Sequence, residues 1–187
     1  MFSDHTLAGR VQNLREYYLT LYALQEKNHN TEYMLVHNEI KEKLKDCNSY
    51  TELGVNQGTT LCTAIFENIK KIRAYDHDLT PYNYAKELFD KWTKDGDIDY
   101  KIFQSDTLKC ILEKTDMLFI DTCHYYKHLI QELKLHANKV NKYIICHDTN
   151  YRNCELKKAL VEYIKNGEWK IITECKKDVG FITIERI

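Results

Sequence analysis

Five stretches of this 187-residue chain combine residue types and spacings that could do chemistry, and each follows an apolar run. The first is Glu52-Leu53-Gly54-Val55-Asn56-Gln57-Gly58-Thr59-Thr60. Gly54 would let the chain turn tightly, and Gly58 would let backbone approach a ligand at the N-terminus of the helix that follows. The spacing differs from the G-x-G-x-x-G of pyrophosphate-binding loops. Asp76 comes about 20 residues after this loop, where a carboxylate can accept hydrogen bonds from ribose hydroxyls. His77 beside it reads as a ligand-side contact or a merely exposed group, and Asp76 itself could equally cap a helix. Ser105 and Asp106 form the third stretch, with Asp106 also a good helix N-cap. The fourth is Asp121-Thr122-Cys123-His124, in which the near-neutral pKa of a histidine suits proton removal; its plainer alternative is a hydrogen-bonded loop histidine. The fifth is His147-Asp148-Thr149.

Strands must deliver these residues to a common edge, and the pattern supplies them. Residues 50–54, 72–76, 98–103, 116–121, 142–146, 169–173 and 181–187 read as seven strands. Helical segments run over 58–70, from Pro81 to near Gly96, briefly from Asp106, and over 126–137 and 153–165. The Met-Leu-Phe-Ile run after Asp116 suits a strand covered on both faces. Such alternation predicts an α/β domain whose parallel sheet carries helices on both faces. Only a short connection separates the last two strands, so they are expected to be antiparallel. Ligands of such sheets bind beyond the carboxyl ends of the strands, where strand order reverses, which is where the five stretches lie.

Residues 1–48 read as an N-terminal helical extension and 49–187 as the main domain. Leu14, Tyr17, Tyr18, Leu21 and Leu24 recur at helical spacing, Asn28 to Asn30 break the pattern, and Thr31 is a plausible N-cap for a second helix with Met34, Ile40 and Leu44 on one face. The tyrosines of this extension, including Tyr22 and Tyr33, read as core in preference to a substrate platform. The helices could also cover a substrate pocket or join two copies in a homo-oligomer.

The chain is long enough for one sizeable core. Its 27 basic and 28 acidic residues nearly cancel, so no global field draws it to nucleic acid or an anionic membrane. Pairs such as Lys157-Lys158 and Lys176-Lys177 read as solvated faces. The seven cysteines include no C-x-x-C spacing and suit small buried groups in a reducing compartment. No signal peptide and no membrane-length apolar run is evident, which predicts a cytoplasmic protein.

The E-x-G-x-x-x-G form of Glu52 to Gly58 resembles the first motif of class I S-adenosylmethionine (SAM)-dependent methyltransferases. Asp121 to Tyr126, Ile144 to Thr149 and Gly180 to Arg186 resemble a narrower group, the macrolide sugar O-methyltransferase and cephalosporin hydroxylase-like proteins. The likeness spans roughly residues 50–187. It implies a Rossmann-like, seven-stranded, mostly parallel sheet with an antiparallel last strand. It also implies SAM as cofactor, contacted by Glu52, Gly54, Asn56, Gly58, Thr60, Asp76, His77, Ser105, Asp106 and Asp121, with an acidic residue such as Asp106 reading the adenine amino group. His124 takes the position of the family's general base. Asp121, His147 and Asp148 take the position of a divalent metal site. Magnesium is usual there, and the imidazole of His147 would suit manganese better. Cys123 replaces a frequent aspartate, and Asp121 and Asp148 could instead only hydrogen-bond the sheet edge. The implied reaction is O-methylation of a small hydroxylated acceptor, such as a sugar. The alternative is a SAM-binding protein that no longer catalyses. A nicotinamide dehydrogenase is disfavoured by the glycine spacing and the antiparallel ending. Nucleic-acid base methylation is disfavoured by the lack of a D-P-P-Y-like tetrapeptide or a Pro-Cys nucleophile.

Overall fold

The computed structural model describes residues 8–28, 33–151, 153 and 155–187. Seven strands form one sheet: β1 (Ser49–Leu53), β2 (Lys71–Asp76), β3 (Asp99–Gln104), β4 (Thr115–Ile120), β5 (Val140–His147), β6 (Trp169–Cys175) and β7 (Phe181–Arg186). Their order is β3-β2-β1-β4-β5-β7-β6. Strands β1 to β5 pair in parallel, and β7 runs antiparallel to both β5 and β6. The expected parallel sheet with an antiparallel closing strand is therefore present. Order reverses between β1 and β4, which opens a crevice at their carboxyl ends.

Helices cover both faces because the central strands send apolar side chains to both. In β4, Met117 and Phe119 join one buried cluster while Leu118 and Ile120 join the other. The first cluster packs α1 (Leu14–Asn28), α2 (Tyr33–Leu44), α3 (Thr59–Phe66) and α5 (Lys86–Asp95) on one face. The second packs α6 (Tyr126–His136) and α7 (Glu155–Tyr163) on the other. Helix α3 is buried from Thr59 to Ile65 because α1 and α2 lie outside it. Tyr17 and Tyr18 sit in this core, as the tyrosine pattern predicted, whereas Leu19 and Leu24 face outward. None of the described helices is long and apolar enough to cross a membrane.

Several boundaries differ from the sequence expectation. Helix α3 stops at Phe66, and Asn68 turns to φ 57°, so residues 67–70 are a connection into β2. The single helix expected from Pro81 is two pieces, α4 (Thr80–Asn83) and α5, interrupted at Ala85 with φ −112° and ψ 3°. The short helix expected from Asp106 is only a turn: Lys109 and Cys110 N–H groups both donate to the Asp106 carbonyl, and Leu108 N–H donates to the Asp106 side chain. The N-cap placed at Thr31 and the side chain of Met34 lie outside the described residues.

Buried Arg73 on β2 is not a ligand group. It donates to Asp99 Oδ2 at 2.6 Å and Glu113 Oε1 at 2.9 Å, which ties β2 to its neighbours.

Candidate functional site

The loop leaving β1 turns at Gly54, which has φ 87°, a conformation that favours glycine. A Cβ there would lie 1.9 Å from the Asp121 carbonyl oxygen, so the β1 loop and the end of β4 touch backbone to backbone. The Asp76 carboxylate fixes the next two residues. Its Oδ2 accepts the backbone N–H of Val55 at 2.7 Å and of Asn56 at 3.1 Å. Its Oδ1 accepts the Asp78 N–H at 3.0 Å and lies 3.1 Å from His77 Nδ1. The strand-end acid thus shapes the glycine loop as well as facing the crevice.

Two hollows open over the crevice. One, of about 510 Å³, is walled by Gly54 to Gln57, by Thr59 and Thr60 at the start of α3, and by Asp121, His124, His147 and Asp148. The other, of about 390 Å³, is walled by His77, Asp106, Thr107, Cys123 and His128. Gly54, Asp76, Asp121 and Thr122 border both, so the two form one trough across the strand-order reversal.

The trough gathers Gly54, Asn56, Thr60, Asp76, His77, Asp106, Asp121, His124, His147 and Asp148 from the sequence expectation. Glu52, Gly58 and Ser105 do not border it. Glu52 is fully buried beneath the loop, where it accepts hydrogen bonds from Tyr50 Oη at 2.6 Å and Thr60 Oγ1 at 2.8 Å. Desolvation pushes its pKa up to about 8 against the effect of those two bonds. Gly58 faces Phe89, whose Cζ would lie 2.7 Å from an added Cβ. The Ser105 N–H donates to the Asp76 carbonyl at 2.7 Å and holds the β2 and β3 ends together.

Beyond β4 and β5, two carboxylates and two imidazoles form a compact cluster. His124 Nε2 lies 2.6 Å from Asp148 Oδ2 and 3.6 Å from Asp121 Oδ1. His147 Nδ1 lies 3.2 Å from Asp121 Oδ2 and 3.4 Å from Asp148 Oδ1. Hydrogen bonds to Asp121 and Asp148 raise the His124 pKa to about 10. Burial opposes ionisation of both Asp121 and His147. Their mutual attraction prevails, which lowers the acid and raises the imidazole. His124, expected from its position as a general base, lies between the two carboxylates at the end of the trough. The ligand atoms that converge within 4.8 Å of one another come from Asp121, His124 and Asp148, while His147 bonds both carboxylates. Two carboxylate oxygens and one imidazole nitrogen form a donor set that fits a divalent cation of intermediate hardness.

Other trough residues carried no readable signal. Tyr151 sets its ring edge-on to His124, with centroids 5.3 Å apart. Glu132 on α6 is fully buried and accepts from Thr107 Oγ1 at 2.6 Å and Thr122 Oγ1 at 2.9 Å, with His128 Nε2 at 3.1 Å. It clamps the loops after β3 and β4 to one helix, so it shapes the second hollow without lining it. Gln25, from α1, also reaches the first hollow.

No protein-family model and no curated protein sequence matches the chain. Solved structures do match in fold. A caffeoyl-CoA O-methyltransferase candidate from Staphylococcus aureus superposes with a TM-score of 0.64 at 16% identity, over 82% of this chain and 83% of that one. The Podospora anserina methyltransferase PaMTH1, bound to S-adenosylhomocysteine (SAH), gives 0.65 at 12% identity, over 82% and 78%. The N-methyltransferase NodS from Bradyrhizobium japonicum WM9, also with SAH, gives 0.64 at 10% identity, over 82% and 87%. At these identities the likeness shows the Rossmann-like methyltransferase fold.

Proposed function

We propose that this chain is a SAM-dependent methyltransferase that methylates the oxygen of a small hydroxylated acceptor, such as a sugar. One observation carries the reading: a single trough spans the strand-order reversal, with the Asp76–Asp106 hollow at one end and the Asp–His cluster at the other. An elongated ligand with a nucleoside end and a reactive end fits that layout. Solved relatives of this fold bound to SAH support the choice of cofactor. The sequence likeness to macrolide sugar O-methyltransferases supports oxygen as the acceptor atom.

SAM supplies a methyl carbon on a sulfonium, and the protein's part is alignment and electrostatics. The glycine loop, braced by Asp76, forms the bed for the ligand. His77 and Asp106 border the nucleoside end. At the other end, the acceptor hydroxyl must lose its proton as the methyl carbon leaves sulfur for oxygen, and the carboxylates of Asp121 and Asp148, with His124 between them, are the groups there that can accept it. Magnesium or manganese held by Asp121, His124 and Asp148 would supply a Lewis acid at the acceptor hydroxyl, and the imidazole ligand favours manganese.

Calorimetric titration with SAH, followed by methyl-transfer assays on a panel of hydroxylated acceptors, tests this reading. Wild type is expected to bind SAH and to turn over at least one acceptor. Chelator, or Asp148→Ala, is expected to lower turnover about a hundredfold or more, since each removes a group at the reacting end. Absence of SAH binding would refute the cofactor. Activity indifferent to both chelator and Asp148→Ala would refute the metal. A second reading, SAM binding without turnover, is favoured by the contacts that already engage His124 with Asp148 and Asp121, and SAH binding with no product across the panel would establish it.

A further inference from the structure

The N-terminal helix brings to the trough a polar group that nothing among the described residues satisfies. Gln25 borders the first hollow, and its Oε1 is buried with no hydrogen-bond partner among the described residues. Buried polar atoms of side chains are nearly always paired, so an orphan at a cavity wall points to a partner supplied by a ligand. Neither loose packing nor a swinging helix accounts for it. Leu14, Tyr17 and Leu21 anchor α1 in the core at 1, 2 and 1% exposure. Tyr17 Oη donates to the Gln57 carbonyl at 3.3 Å, which fastens α1 to the glycine loop itself. The Tyr17 ring also meets Phe89 edge-on, and Phe89 abuts Gly58 at the far end of that loop.

Position selects the ligand group. Gln25 shares its hollow with Asn56, Gln57, Thr59 and Thr60, and none of these five borders the second hollow with Asp106 and His77. The nucleoside end of the trough is therefore elsewhere. On the cofactor reading above, on which this step rests, the part of SAM remote from its nucleoside is an α-amino acid. We infer that the Gln25 amide recognises that amino-acid end. Its oxygen accepts from the α-ammonium, and the same amide rotated by 180° offers an N–H to the α-carboxylate. A neutral amide does this without burying another charge beside Asp121 and Asp148.

The test compares SAH with 5′-methylthioadenosine, which keeps the nucleoside and thioether but lacks the amino acid. Titration calorimetry on Gln25→Leu is expected to show SAH affinity reduced about tenfold, the scale of one lost hydrogen bond to a charged group, and methylthioadenosine affinity unchanged. Gln25→Asn, which keeps an amide but withdraws it by one methylene, is expected to show the same split and serves if the leucine variant folds poorly. Unchanged SAH affinity, or an equal loss for both ligands, overturns the inference. So does a raised acceptor KM with SAH affinity intact, which would give the amide to the acceptor. If wild type binds neither ligand, the cofactor reading itself falls. If wild type binds SAH and both variants match it, only the role of Gln25 falls.

Discussion

Gly54→Ala is expected to destabilise the protein by about 4 kcal/mol or more and to abolish SAH binding. Two physical effects add at this position. The backbone is left-handed at φ 87°, which costs a non-glycine residue about 1–2 kcal/mol. The stronger effect is steric. The new Cβ would stand 1.9 Å from the Asp121 carbonyl oxygen and 2.6 Å from its carbonyl carbon, and neither can swing aside as a side chain could. Relief requires β1 and β4 to part where Asp121 N–H donates to the Leu53 carbonyl at 2.8 Å, next to the Gly54 N–H bond to the Tyr75 carbonyl of β2 at 2.9 Å. That is the floor of the trough. Gly167→Ala separates backbone strain from collision, because Gly167 has φ 81° but nothing within 4 Å of an added Cβ. Urea denaturation should therefore show about 1–2 kcal/mol lost at Gly167 and several at Gly54. Similar losses at both positions would remove the backbone contact from the account of the site.

That same contact explains what the sequence could disclose. Two glycines after an apolar strand, followed by an acid at the next strand end, constrain backbone, and backbone constraints leave a local pattern. All seven strands were legible, β4 most directly: covered on both faces, it is apolar from Met117 to Ile120. Breaks inside helices were less visible. Nothing local marks Ala85 as the point where α4 gives way to α5, and Asp106 caps a single turn with the same chemistry it would use to cap a helix.

Side-chain direction was the part that spacing could not reveal. Glu52 stands in the glycine motif, but strand alternation aims it into the core under α3. Which of His124 and His147 brings a nitrogen into the tightest group with both carboxylates depends on loop geometry after β4, and both lie one or three residues from an aspartate. Gln25 could not be found at all. It sits on α1 among ordinary helical polar residues, and only the packing of α1 over α3 brings it to the hollow.

Glu52 leads to the second large effect, in the pH dependence of stability. Burial raises its pKa from 4.5 to about 8, so the folded protein holds this proton more tightly than the unfolded chain does. A carboxyl whose pKa is raised on folding contributes stability that is fully present below the unfolded pKa. That contribution fades as pH rises through the folded value. A tenfold change in proton affinity corresponds to about 1.4 kcal/mol, so Glu52 should withdraw up to about 5 kcal/mol between pH 4.5 and pH 8 and above. Other groups act in the opposite sense at the acid end, since Asp121 and Glu113 lie below their usual range. The difference between wild type and Glu52→Gln isolates the one group. The amide keeps polar atoms facing Tyr50 Oη and Thr60 Oγ1 and carries no charge at any pH. The two proteins should be of similar stability near pH 5, with the variant ahead by several kcal/mol at pH 9. Curves that run parallel across that range would mean Glu52 does not titrate between them. Tyr50 and Thr60 donate to the carboxyl and favour its charged form, so the loss of stability comes from burying the charge and not from those two bonds.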